Sequence, residues 1–279
     1  MKTRRVFIFC FFLILYCSSM FAGTGMGRYA FRSLDINNGL SQNTVAAIIQ
    51  DRFGFMWFGT KDGLNRYDGV SFQTFMKESG TLGNNFITSL YEDCLGQIWI
   101  GTDVGVYIYS PSGEKVERFV IQSNLNTTIE QTVHTIKGDR KGRVWIVSER
   151  QGIFCYDTNR GTLEHLQTDA SGKKRLRNAG QIVFDQDDVC WLDIHDGNLY
   201  SSRDGLHTLK PVFSPEIKAP FKGKRINKLL PGPYNCLYVG TDDGLMEVNL
   251  TSGALSSLLP GTAAAGESSF CKRDGFLFR

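Results

Sequence analysis

Measured back fourteen positions from a recurring aromatic residue, the chain places Asn43, Asn85, Gln131, Arg177 and Lys224 in one register, and every one is polar. The three amides can donate and accept hydrogen bonds at once, which suits a ligand whose hydroxyls do the same. A second polar set follows each aromatic: Lys61-Asp62, Asp103, Glu149-Arg150, His195-Asp196 and Asp242-Asp243. Such groups hold a ligand without covalent chemistry. The competing explanation is local, because Asn, Asp and Gln also cap the turns that lead into strands. Asn43, Asn85, Gln131, Arg177 and His195 are the candidate ligand-binding residues.

Catalytic patterns are missing from the sequence. The four histidines (His134, His165, His195, His207) have no metal-ligand spacing, and there is neither a Gly-x-Ser-x-Gly elbow nor a Gly-x-x-x-x-Gly-Lys phosphate loop. Asp185, Asp187 and Asp188, like Asp242 and Asp243, lack the further oxygen ligands of a calcium loop and read as turn residues. No catalytic residue, metal site or cofactor is assigned. Because a fold does not dictate a function, an exported lyase or hydrolase stays open as an alternative, as does a scaffold that binds other proteins.

The elements that must position these residues repeat. The aromatics are Trp57, Trp99, Trp145, Trp191, Tyr238 and Phe278, separated by 42, 46, 46, 47 and 40 residues. Asp51, Asp93, Asp139 and Asp185 stand six residues before an aromatic; Gly54, Gly96, Gly142, Asp188, Asn235 and Gly275 stand three before. The latter are the residue types that best tolerate a left-handed backbone, as a tight hairpin demands. Gly-Thr follows the aromatic at 59–60, 101–102 and 240–241, and another glycine comes shortly after.

Each unit divides into four short strands rich in β-branched and aromatic residues. In the first unit they are expected at Thr44 to Gln50, Phe55 to Thr60, Gly63 to Tyr67 and Ser71 to Met76. A period of this length with four strands per unit is that of a β-propeller blade. The expected fold is therefore all-β, a propeller of four-stranded blades with about five and a half blades present and essentially no helix after residue 28. The repeated Trp is expected to pack between neighbouring blades.

The ends of the chain set the context. Residues 1–22 carry a basic start (Lys2, Arg4, Arg5), an apolar stretch from Val6 to Tyr16 and small residues near Ala22, and read as a signal peptide. All charges in that segment are positive, so the formal +3 of the chain falls to near neutrality once it is removed. The short basic clusters Lys173 to Arg177 and Lys218 to Lys228 do not make a nucleic-acid face, and none is expected. Seven cysteines in scattered positions, with no Cys-x-x-Cys, form neither a disulfide framework nor a zinc site. The segment 23–279 reads as an incomplete propeller that breaks off within its sixth blade, with "YAFRSL" (29–34) expected to lend the outer strand of the last blade.

The segments "NGLSQNTVAAIIQDRFGFMWFGTKDGLNRYDGVSFQTF" and "LGNNFITSLYEDCLGQIWIGTDVGVYIY" together resemble the two-component regulator propeller repeat of hybrid sensor histidine kinases. The pattern weakens in the third unit, where Val147-Ser148 replaces Gly-Thr, and in the fourth, where Asp193-Ile194 does. The resemblance implies a periplasmic sensor of oligosaccharides, seven-bladed when complete. It further implies a second propeller, an inner-membrane anchor and kinase modules beyond this segment, and a homodimer when full length.

Overall fold

The computed structural model describes residues 32–120, 128–217, 219–260, 272–273 and 276–277. Its order is set by strands of four to seven residues in most places, too short and too often broken by glycine to be helical. The first blade is β1 (Val45–Gln50), β2 (Met56–Thr60), β3 (Gly63–Tyr67) and β4 (Phe72–Phe75), each within one residue of the expected bounds. The second is β5 (Ile87–Glu92), β6 (Ile98–Thr102), β7 (Gly105–Ser110) and β8 (Lys115–Arg118), and the third β9 (Val133–Gly138), β10 (Arg143–Ser148), β11 (Gly152–Asp157) and β12 (Thr162–Leu166). The fourth comprises β13 (Ile182–Phe184), β14 (Cys190–Asp193), β15 (Leu199–Ser202) and β16 (Lys210–Pro211); the fifth, β17 (Ile226–Gly232), β18 (Cys236–Thr241), β19 (Gly244–Asn249) and β20 (Leu255–Pro260). A two-stranded ladder of β21 (Lys272–Arg273) and β22 (Phe276–Leu277) follows.

Every blade is an antiparallel meander whose strands pair in chain order. The innermost strands β1, β5, β9, β13 and β17 lie beside one another in succession, so the five sheets form a β-propeller. Helix among the described residues is confined to two single 3-10 turns, Ile36–Asn38 and Leu176–Asn178. No helix of the described residues is long and apolar enough to cross a membrane. The residues from 29 to 31 and Phe278 lie outside the described part, and with them half of the expected outer strand; residues 32–34 are not in a strand.

The core is built by the repeated aromatic. Trp57 and Trp99 are fully buried, and each reaches the next blade: Trp57 lies 4.8 Å from Tyr109 and Trp99 5.5 Å from Tyr156 between ring centroids. Trp145 likewise meets Phe184 of the fourth blade at 5.7 Å. A buried indole N–H needs an acceptor, and the aspartate six residues upstream supplies it. Trp57, Trp99, Trp145 and Trp191 donate through Nε1 to Asp51, Asp93, Asp139 and Asp185 at 2.7, 2.8, 2.9 and 2.8 Å. The other carboxylate oxygen accepts the backbone N–H groups of the hairpin between the first two strands, as Asp93 does from Leu95 and Gln97. One side chain thus closes the turn and satisfies the core, and in the fifth blade, where Tyr238 replaces Trp, no aspartate stands at that position. The hairpins use the left-handed backbone at Gly54, Gly96, Gly142, Asp188 and Asn235, with φ of 92°, 82°, 78°, 61° and 57°.

Candidate ligand-binding site

The residues expected from the sequence to bind ligand differ in their surroundings. The residues leading into β5 and β9 meet the loop between the second and third strands of the preceding blade. Gly63 donates its N–H to the carbonyl of Asn85 at 2.8 Å, and Gly105 does the same to Gln131 at 3.3 Å. Asn85 Nδ2 also donates to Asp62 at 3.0 Å, whereas Lys224 pairs with Asp243 of its own blade at 3.1 Å.

Most of the rim amides are spent on these connections. Asn43 Oδ1 accepts from the Ile36 N–H and Asn85 Oδ1 from the Lys77 N–H, while Asn85 Nδ2 also donates to Glu78. Gln131 is exposed and gives its backbone N–H to Gln151. Arg177 departs from the register: it sits in the 3-10 turn Leu176–Asn178 ahead of β13 and donates to Gln167 at 2.5 Å. The fourth blade has a shorter innermost strand, which leaves the residues before it to turn rather than extend.

A feature not legible as a site in the sequence lies just inside this rim. In four blades the innermost strand carries a β-bulge near its start, between Val45 and Ala47, Ile87 and Ser89, Val133 and Thr135, and Ile226 and Lys228. The extra residues of the bulges are Ala46, Thr88, His134 and Asn227. A bulge re-aims its extra side chain out of the alternation of the strand. Thr88 uses this to donate from Oγ1 to Val133 O of the next blade at 2.6 Å. Burial pushes His134 below the ordinary imidazole range; Glu149 opposes that shift, and His195 and Arg225 reinforce it. Those neighbours belong to the third, fourth and fifth blades. The signal in the sequence was a position eleven residues before the aromatic, visible only once the bulge is known.

The fourth blade supplies a second departure. At the Gly of Gly-Thr the neighbouring blade comes close: a Cβ on Gly59 would lie 2.5 Å from Ile87, and one on Gly101 would lie 2.8 Å from Val133. Asp193 occupies that position and is 2% exposed. Its carboxylate accepts from the His195 N–H at 2.7 Å and the Gln181 N–H at 3.2 Å. Burial raises the Asp193 carboxyl above the usual carboxylate range, with His195 and the two backbone donors pulling the other way. Between this residue and the fifth blade is a cavity of about 210 Å³, lined by Asp193, His195, Asp196, Phe221, Lys222 and Lys224 among others. His195 itself is exposed, with φ of 54° and Nδ1 2.8 Å from the Asn178 carbonyl. Of the five residues expected to bind ligand, His195 is the one that lines this cavity.

Comparison with known proteins agrees with this architecture. Residues 39–62 and 81–104 match the Two component regulator propeller family. Over 48 residues the chain is 44% identical to Histidine kinase P4 of Formosa agariphila, a stretch covering 17% of this chain and 4% of that protein. The fold is similar to the extracellular domain of a hybrid two component system from B. thetaiotaomicron, with a TM-score of 0.67 and 22% identity over 81% of this chain and 31% of the other. It is also similar to virginiamycin B lyase from Staphylococcus aureus, with a TM-score of 0.62 and 12% identity over 84% and 75% of the two chains. The chain thus spans less than a third of the two-component structure it matches. Repeated Asp, Gly, Trp and Gly-Thr positions and the blades they build lead to one conclusion: this chain is a β-propeller, and two of its segments, residues 39–62 and 81–104, match the Two component regulator propeller model.

Proposed function

We propose that this propeller is the ligand-sensing part of a hybrid two-component regulator, exported to the periplasm, and that its ligand is an oligosaccharide bound at the mouth of the ring. The observation that carries the reading is the match of residues 39–62 and 81–104 to the Two component regulator propeller family. The mouth supports it chemically. His134, Asn227, His195 and the loop carboxylates offer donors and acceptors from several blades around one opening, the arrangement a polyhydroxylated ligand requires.

In this reading the propeller binds and does not catalyse. The membrane anchor, the second propeller and the kinase belong to the protein beyond Arg279, and the full-length receptor acts as a homodimer. A second reading, an exported propeller lyase, draws on the fold likeness to virginiamycin B lyase. Calorimetric titration of the purified chain with a panel of oligosaccharides, followed by chromatography of the recovered sugars, separates the two. Binding with the sugars recovered intact is the expected result; cleaved product favours the lyase. Sequencing the reading frame downstream should show a membrane helix and a kinase, and a stop codon soon after Arg279 would remove the receptor.

A further inference from the structure

Resting on the sensing reading, a more specific assignment follows from a carboxylate oxygen that the fold leaves without a donor. We propose that Phe86 and Asp103 form a subsite for one neutral sugar ring, in which the C–H face of a pyranose stacks on Phe86 and one of its hydroxyls donates to Asp103.

The backbone brings the two residues together. In four blades the residue just before the innermost strand accepts from the residue just after the second strand: Thr44 from Lys61 at 3.2 Å, Phe86 from Asp103 at 3.2 Å, Thr132 from Glu149 at 2.8 Å and Arg225 from Asp242 at 3.3 Å. These pairs extend each ladder by one step at the same end of the sheet, and Phe86 is the aromatic among them. Both adjacent blades reach this pair. Lys61 Nζ of the first lies 5.9 Å from the centroid of the Phe86 ring, and Thr132 Oγ1 of the third donates to the Asp103 carbonyl at 3.4 Å.

A single exposed phenylalanine needs no explanation, but an orphaned carboxylate oxygen does. Among the described residues, Asp103 Oδ1 is the buried side-chain oxygen with no hydrogen-bond partner. The other carboxylates of these pairs are engaged: Asp242 Oδ1 accepts the Arg225 N–H at 3.1 Å, and Glu149 lies 3.7 Å from Arg150. Asp103 as a whole is half-buried, and the last torsion of an aspartate is broad and two-fold, so its carboxylate can turn toward an incoming hydroxyl without moving the backbone. Phe86 is 37% exposed, and the electron-rich face of its ring attracts the slightly positive C–H groups of a sugar. A pyranose carries both complements, hydroxyl donors at its rim and a C–H surface on its face.

Charge narrows the choice. Because Lys61 already lies over the Phe86 ring, a cationic amino sugar would bring a second positive charge to the same aromatic. Asp103, together with Asp62 held by Asn85 next to Phe86, repels an acidic sugar. A neutral ring meets neither objection.

The test is isothermal titration of the purified chain with cellotriose and galactotriose, and with the charged counterparts triglucuronate and triglucosamine. At least one neutral probe should bind, about 10-fold or more tightly than either charged one. Phe86→Ala and Asp103→Ala should each weaken that probe by about 10-fold to 100-fold, whereas Phe86→Trp, which keeps an aromatic face, should retain it. Lys141→Gln, on a hairpin between the first two strands of the third blade, should leave affinity unchanged. Thermal melts add a readout that a structural role would move: Asp103→Ala removes an unpartnered oxygen and should melt no lower than the native chain. A lower melting temperature in that variant, full affinity in both alanine variants, or no binding of either neutral probe would overturn the subsite. If a sugar binds with full affinity in both alanine variants, or a charged probe binds instead, the sensing reading stands and only this subsite falls.

Discussion

The second and fourth blades face the same packing problem and solve it differently. In the second, Gly101 lets Val133 of the next blade approach to a distance no side chain could occupy, and Thr102 closes the hairpin by donating to Gly105 O at 3.0 Å and accepting from Val104 N–H at 3.1 Å. In the fourth, Ile194 takes the place of the threonine and is buried, so the hydroxyl's work passes to carboxylates: Asp193 accepts from His195 and Asp196 from Asn198. Obedience to the repeat seals one seam with backbone against backbone. Departure from it places a buried carboxylate beside a cavity at the next. Local rules that bind a sequence to its fold tend to be broken where a site is built, and here the break coincides with the cavity.

This contrast can be broken most severely at the shared core. Trp99→Ala should lower stability by about 3 to 5 kcal/mol, as for other large-to-small core changes, since it removes a fully buried ring from a blade-to-blade contact. Chemical denaturation measures it, and an unchanged midpoint would mean the ring is not structural. Asp93→Ala should cost about 1 to 3 kcal/mol by leaving the indole N–H of Trp99 unpaired in the core, with the turn donors of Leu95 and Gln97 losing their acceptor as well.

The seam itself is tested next. Gly101→Val forces a side chain against Val133 and should cost about 1 to 3 kcal/mol through overpacking. At the corresponding place in the fourth blade a side chain is already accommodated, so Asp193→Asn should be tolerated with a smaller change. Equal losses at the two positions would show that the fourth seam is as tight as the second.

A pH series separates the titrating groups on the two sides of the mouth. The folded state holds His134 below its ordinary value of 6.5, mainly by burial, so the unfolded chain binds more protons there and stability is lost as pH falls through 6.5. Asp193 is held above its ordinary 3.8, again by burial, so its protonated form is favoured in the fold and its contribution is lost as pH rises from 3.8 through the raised value. His134→Gln should flatten the first decline and Asp193→Asn the second, read from melting temperatures across the series. A slope at 6.5 that survives His134→Gln would assign it elsewhere.

The smallest effect is expected at the rim. Asn85→Ala removes hydrogen bonds to the Lys77 N–H, Asp62 and Glu78 at an exposed site, and should cost about 0.5 to 1.5 kcal/mol while leaving the affinity of the folded protein for its ligand intact. A loss of affinity larger than the loss of stability would return Asn85 to the ligand site.

Much of the architecture was legible in the residues because the repeat is dictated locally. The spacing of Trp57, Trp99, Trp145 and Trp191 marks the blades, and the glycines and asparagine that adopt positive φ mark their hairpins, since those turns tolerate few other residues. Strand bounds in the first blade follow from the same punctuation and agree with the structure to within one residue. The presence of His195 in the loop after the fourth aromatic was equally readable.

What tertiary structure alone decided is which polar groups are already engaged. Asn43 and Asn85 share a register with Gln131, but only the folded chain brings Ile36, Lys77 and Asp62 to two of those amides. His134 looked like one residue of an apolar strand until the pairing with β10 showed it to be the extra residue of a bulge. The cavity depends on Asp193 meeting a strand more than thirty residues later in the chain. Turn chemistry is a property of a few consecutive residues, whereas satisfaction, burial and charge partnership belong to contacts between blades, and those exist only after the ring of sheets has packed.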